Sequence, residues 1–146
     1  MNTITNQSPS FMMKLAVSSK LTPAQEWTAK FVSERIKYIN RYSGVSDDLM
    51  LCFLKPIRKS QIMRAGIFNK KTGTFFRDEN DKILMVTAKS IKEPTVDKCI
   101  KYTQTVYNML ADVLHGKYKA PDWAKNPSKY AEEESRMFSN HGLRIA

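Results

Sequence analysis

The chain has 146 residues, 42% of them hydrophobic and 26% charged, a balance that supports one domain with its own core and excludes a wholly disordered chain. Lys and Arg number 24 against 14 Asp and Glu, and the resulting net charge of +10 attracts polyanions. No window is apolar for the length of a membrane span and the start lacks a basic signal region, so a cytoplasmic protein without a membrane partner is expected.

Residues 1–21 read as an N-terminal tail or arm, with Phe11 to Val17 able to form a short strand that packs on the body. A first amphipathic helix is predicted from Pro23 to Tyr42. Thr22 is its N-cap, Gln25 completes a capping box, and Ser43-Gly44 ends it. Its apolar arc holds Ala24, Trp27, Phe31, Val32, Ile36, Tyr38, Ile39 and Tyr42. Arg35 falls inside that arc and needs a partner, for which Asp47 or Asp48 is available.

Leu49 to Leu54 is a continuous apolar run that periodicity cannot assign. Ser46-Asp47-Asp48 before it and Lys55-Pro56 after it favour a short helix over a strand. Residues 62–88 read as β. Asn69 to Gly73 is a turn between β-prone flanks, with Gly73 supplying the left-handed position; Asp78 to Asp81 is a second turn, and Ile83 to Val86 a further strand.

A second amphipathic helix is predicted from Glu93 to His115 with Gly116 at its C-cap. Its core stripe is Val96, Cys99, Ile100, Thr103, Val106, Tyr107, Leu110, Val113 and Leu114, and Tyr102 and Met109 broaden that stripe into a possible partner or homodimer surface. A last short helix runs from Pro127 to Ser139, capped by Asn126, with Glu132 and Arg136 paired at i,i+4 and Glu132-Glu133-Glu134 facing solvent.

The fold class expected is therefore α+β: two amphipathic helices flanking a small antiparallel hairpin or meander, with a short C-terminal helix. Residues 22–116 form the core domain and 117–146 a C-terminal segment.

Charge is unevenly distributed. Residues 55–73 contain Lys55, Arg58, Lys59, Arg64, Lys70 and Lys71 and no acid, which makes this stretch the candidate footprint for a phosphate backbone. If 46–54 and 57–65 are two helices followed by the 67–86 hairpin, the order resembles a winged helix-turn-helix. That resemblance implies Arg58, Lys59, Gln61 and Arg64 at a DNA groove and Lys70 and Lys71 at the wing tip. If 49–55 is a strand, Phe68, Phe75 and Phe76 beside Lys70, Lys71 and Arg77 could stack unpaired bases, although such aromatics more often fill a core.

No catalytic motif stands out. His115 and His141 sit beside helix-ending glycines, no Cys/His/carboxylate cluster has ligand spacing, and no Gly-rich phosphate loop is present, so neither enzyme, metal nor cofactor is expected. Cys52 and Cys99 lie in apolar stretches and read as small buried hydrophobes. The leading expectation is a non-catalytic nucleic-acid-binding protein, DNA ahead of RNA, serving as a small regulator or accessory factor. The rival is an adaptor or inhibitor that docks its basic surface on an acidic protein, with Trp123 or the Tyr102/Met109 strip as its hydrophobic anchor.

Overall fold

In the computed structural model the described residues are 14–43, 48–55, 63–88, 93–141 and 143–145. The order is β1 (Lys14–Ser18), α1 (Pro23–Ser43), β2 (Leu49–Leu54), β3 (Met63–Asn69), β4 (Thr74–Phe75), β5 (Val86–Ala88), α2 (Val96–Leu114), α3 (Pro127–His141) and β6 (Leu143–Ile145), with one 3-10 turn at Trp123–Lys125. This is the α+β class expected.

The sheet differs from a simple antiparallel meander. It is six-stranded and mixed, in the order β4-β3-β2-β1-β6 with β5 also on β3. α1 is the crossover between β1 and β2, which pair in parallel, Leu15 opposite Leu51 and Ala16 opposite Cys52. β3 then returns antiparallel to β2, placing Leu51 opposite Ile67 and Leu54 opposite Arg64. The first and last segments both belong to the sheet, because β6 pairs antiparallel with β1.

Leu49 to Leu54 is thus a central strand and not a short helix. All six of its residues are buried, as a strand covered on both faces requires. Alternate side chains divide between two cores: Leu49, Leu51 and Phe53 join Leu15, Ile67, Val32, Ile36, Val106 and Leu110, whereas Met50 and Cys52 join Ala16 and Phe75, with Met137 packed against them. α1 and α2 therefore supply the first core, and α3 reaches the second. Each fully buried Leu, Ile or Phe contributes about 1.5–3 kcal/mol relative to exposure.

Local signals read correctly at α1. Thr22 N donates to Gln25 Oε1 at 2.9 Å and Gln25 N to Thr22 Oγ1 at 3.2 Å, the reciprocal pair of a capping box. The buried arc is rotated from the one expected, however. Gln25, Thr28, Ala29, Val32, Ser33 and Ile36 face inward, while Trp27 is 45% exposed. The short inward residues Ala29 and Ser33 let the helix approach the sheet, and Thr28 and Ser33 turn their hydroxyls back onto the carbonyls of Ala24 and Lys30. Arg35 stacks its guanidinium 4.3 Å above the Phe31 ring.

α2 begins one turn later than expected, with Thr95 as N-cap accepting from Lys98 N at 3.2 Å. His115 is its C-cap, followed by Gly116 at φ +79°. Tyr102 and Met109 are 5% and 4% exposed and belong to the main core. They are not a partner strip. Tyr102 Oη donates towards the carbonyls of Val86 (3.3 Å) and Met63 (3.5 Å), and burial pushes its phenol pKa well above the ordinary value. Both cysteines are buried and unpaired, and burial likewise drives the Cys52 thiol pKa far up.

Candidate functional site

The four described cations of 55–73, Lys55, Arg64, Lys70 and Lys71, do not form one patch among the described residues. Arg58 and Lys59 lie outside them, as does Gln61. Lys55 and Arg64 sit at one end of the β2–β3 pair, where Arg64 Nε and Nη2 both donate to the Lys55 carbonyl, at 3.3 and 3.2 Å. Burial lowers the Arg64 pKa from its usual value. Lys70 and Lys71 are at the other end of β3, some 20 Å away at about 3.3 Å per residue. With β2 in place of a first helix, the winged helix-turn-helix arrangement also falls. Phe75 is fully buried and Phe76 is 8% exposed, so these rings fill the core and are not a stacking platform.

The hairpin end is nevertheless where cations and an aromatic ring come together. Asn69 begins the β3–β4 turn, Gly73 N donates to its carbonyl at 2.9 Å, and Gly73 takes φ +77°. Lys70 and Lys71 are exposed on that turn. The chain after α2 is stitched onto it: Trp123 N donates to Thr72 O at 3.1 Å, Thr74 Oγ1 to the Pro121 carbonyl, and Arg77 N to Lys119 O at 2.9 Å. Asp122 caps the 3-10 turn through Ala124 N at 3.0 Å. These bonds lay the Trp123 indole over Gly73, so closely that a Cβ there would run into Cδ1 and stand 2.8 Å from Nε1. Trp123 keeps 45% of its surface exposed, and Lys125 lies two residues further along the same turn, itself exposed. An adjoining cleft of about 600 Å³ is lined by Thr72, Arg77, Asp81, Lys117, Lys119 and Lys125 among others.

Arg77 anchors this end to α3. Its side chain is 2% exposed and is ion-paired with Glu134, with Glu133 Oε2 3.3 Å away and Tyr130 stacked at 4.8 Å. Glu134 also accepts from Phe75 N at 3.2 Å. Burial raises the Glu134 pKa, against the opposing pull of the Arg77 guanidinium. The triple glutamate is therefore not a uniformly solvated face: Glu134 is buried, and Glu132 alone makes the expected pair with Arg136, at 3.1 Å. Asp81, at φ +62°, holds Lys129 in an ion pair, which lowers the Asp81 pKa.

Trp123 and the turn that bears Lys70 and Lys71 were legible one by one in the sequence, but the seating of the ring on Gly73 was not. The signal missed was the second basic run, Lys117, Lys119 and Lys125, which flanks Trp123 in the chain. Among the described residues no helix is long and apolar enough to cross a membrane, and no group of three His, Cys, Asp or Glu is placed to hold a metal. Comparison with protein-family models, with curated proteins and with solved structures found no match.

Proposed function

We propose that this chain binds single-stranded nucleic acid at the hairpin end, with Trp123 as the stacking surface and Lys70, Lys71 and Lys125 as phosphate contacts, and that it acts as a small non-catalytic accessory factor. The observation that carries the reading is the half-exposed Trp123 ring seated on the turn that bears Lys70 and Lys71. A π-face accepts any base and contributes on the order of 1–3 kcal/mol per stacked base, while the lysines track the backbone. A rigid ring is the better platform. Backbone bonds on both sides of Trp123 hold it before any ligand arrives, which lowers the ordering cost of binding.

The test is titration of the full chain with single-stranded DNA, single-stranded RNA and duplex DNA at two or more salt concentrations, read through Trp123 emission in a Trp27→Phe background. Single strands should bind more tightly than duplex, DNA at least as tightly as RNA, with quenching and a salt slope of about −2 for three phosphate contacts. Trp123→Ala, followed by the anisotropy of a labelled oligonucleotide, should weaken binding roughly 5- to 150-fold. Binding of no nucleic acid, with recovery of an acidic protein that depends on Trp123, would instead establish the adaptor reading.

A further inference from the structure

Among the described residues, four of the five large exposed hydrophobic side chains lie on α1 and α2: Trp27 (45%), Val96 (53%), Ile100 (48%) and Leu114 (43%). The sequence alone assigns Val96, Ile100 and Leu114 to the core stripe of α2. The helix is turned instead so that Tyr102 and Met109 face inward, which carries those three to the outer flank beside α1. Cys99 Sγ meets Thr28 Oγ1 at 3.8 Å, so the two helices lie side by side at the level of Trp27, Val96 and Ile100. They also run in the same direction. α1 returns from β1 to the parallel β2, and α2 starts beside the Met63 end of β3 and ends near Arg77.

The exposed side of α2 is also poor in charge. From Tyr102 to Ala111 there is no charged residue, although 26% of the chain is charged. The exposed residues there are Gln104, Thr105 and Asn108, and Gln104 Nε2 donates to Asn108 Oδ1 at 2.9 Å. A partner selected by the +10 charge would seek other surfaces. A second copy, itself +10, meets less repulsion at an uncharged stretch than at the basic surfaces of the chain.

We propose that two copies of this chain pair through the outer face of α1 and α2, the α2 helices antiparallel across a two-fold axis at Val106–Tyr107, burying Trp27, Val96, Ile100 and Leu114. The register follows from the charges. Lys101 and Asp112 stand equally far on either side of the Val106–Tyr107 midpoint, so the axis sets Lys101 opposite Asp112 of the partner subunit, where it joins the exposed pair that Asp112 makes with Lys117 at 3.7 Å, and Thr105 opposite Asn108 of the partner subunit. α2 has 19 residues, about 28 Å. Two such helices side by side give a footprint on the order of 600 Å², close in scale to the roughly 800 Å² that each partner of a stable pair covers.

Sedimentation of the full chain from low to high micromolar concentration tests this. The wild type should be a reversible dimer. Ile100→Glu should weaken it on the order of 100-fold, since the change enters the interface twice. Its melting curve should stay near that of the wild type because Ile100 is half exposed. Lys101→Glu and Asp112→Lys should each weaken the dimer several-fold, and the two together should restore it, a rescue that altered folding would not produce. A monomer throughout the range overturns the proposal. So does a dimer indifferent to Ile100→Glu, or a charge-swapped chain no better than its weaker parent.

Discussion

Arg77 and Glu134, 57 residues apart in the chain, meet as a buried ion pair that fastens α3 to the end of the sheet. The carboxylate also accepts from Phe75 N, and the guanidinium is further bonded to Asp81 O at 3.2 Å and stacked on Tyr130. Arg77 Nε is buried without a partner among the described residues. The pair must offset the desolvation of both charges, so its removal is asymmetric: losing one member leaves an uncompensated charge, whereas losing both does not.

Glu134→Ala is expected to destabilise the fold by about 3 kcal/mol, the lower part of the range for a broken buried pair, because Glu133 remains near Arg77. Arg77→Met combined with Glu134→Leu should recover most of that loss. Urea denaturation of the two variants, with unchanged m-values, checks both statements.

Gly73→Ala should be destabilised by more than its surface position suggests. The positive φ costs an L-residue roughly 1–2 kcal/mol, and the methyl group also displaces the indole of Trp123. A shift in Trp123 fluorescence together with weaker oligonucleotide binding is the expected outcome. Gly116→Ala is the control, because it shares the left-handed conformation (φ +79°) with open space around the Cβ. It should lose stability and leave Trp123 emission unchanged.

The pH dependence has two opposed contributions. Asp81 is held below its ordinary 3.8 by the Lys129 hydrogen bond, so its stabilisation is present above that value and is lost as pH falls through the lower folded pKa. Glu134 is raised above its ordinary 4.5 by burial, so its contribution is complete below that value and is lost as pH rises through the higher folded pKa. Stability should therefore peak in the acidic range between them. Glu134→Gln should remove the decline on the higher-pH side and Asp81→Asn the decline on the lower-pH side, as read from melting curves at closely spaced pH.

Tyr102→Phe and Met109→Ala separate a core role from a partner role at α2. Loss of the Tyr102 hydroxyl should cost about 1 kcal/mol through its bond to the Val86 carbonyl. Met109→Ala should cost roughly 2–5 kcal/mol as a core truncation. Neither change should alter the dimer affinity beyond what unfolding explains, which sedimentation at a temperature well below melting would measure.

The sequence by itself determined the local features whose physics is local. The Thr22/Gln25 capping box, the Gly73 turn, the end of α2 at Gly116 and the Glu132–Arg136 pair all depend on residues within a few positions of each other. Tertiary structure decided the rest. Leu49 to Leu54 became a strand because β1 and β3 complete its hydrogen bonds and both of its faces are covered, terms that no window of that run contains. The same holds for the rotation of α1 and α2 on the sheet, which buried Met109 and left Trp27 exposed. It holds also for the splitting of the basic run by the length of β3 and for the meeting of Trp123 with Gly73. Each depends on contacts far apart in the chain, and a side chain's chemistry does not say which distant neighbour it will meet.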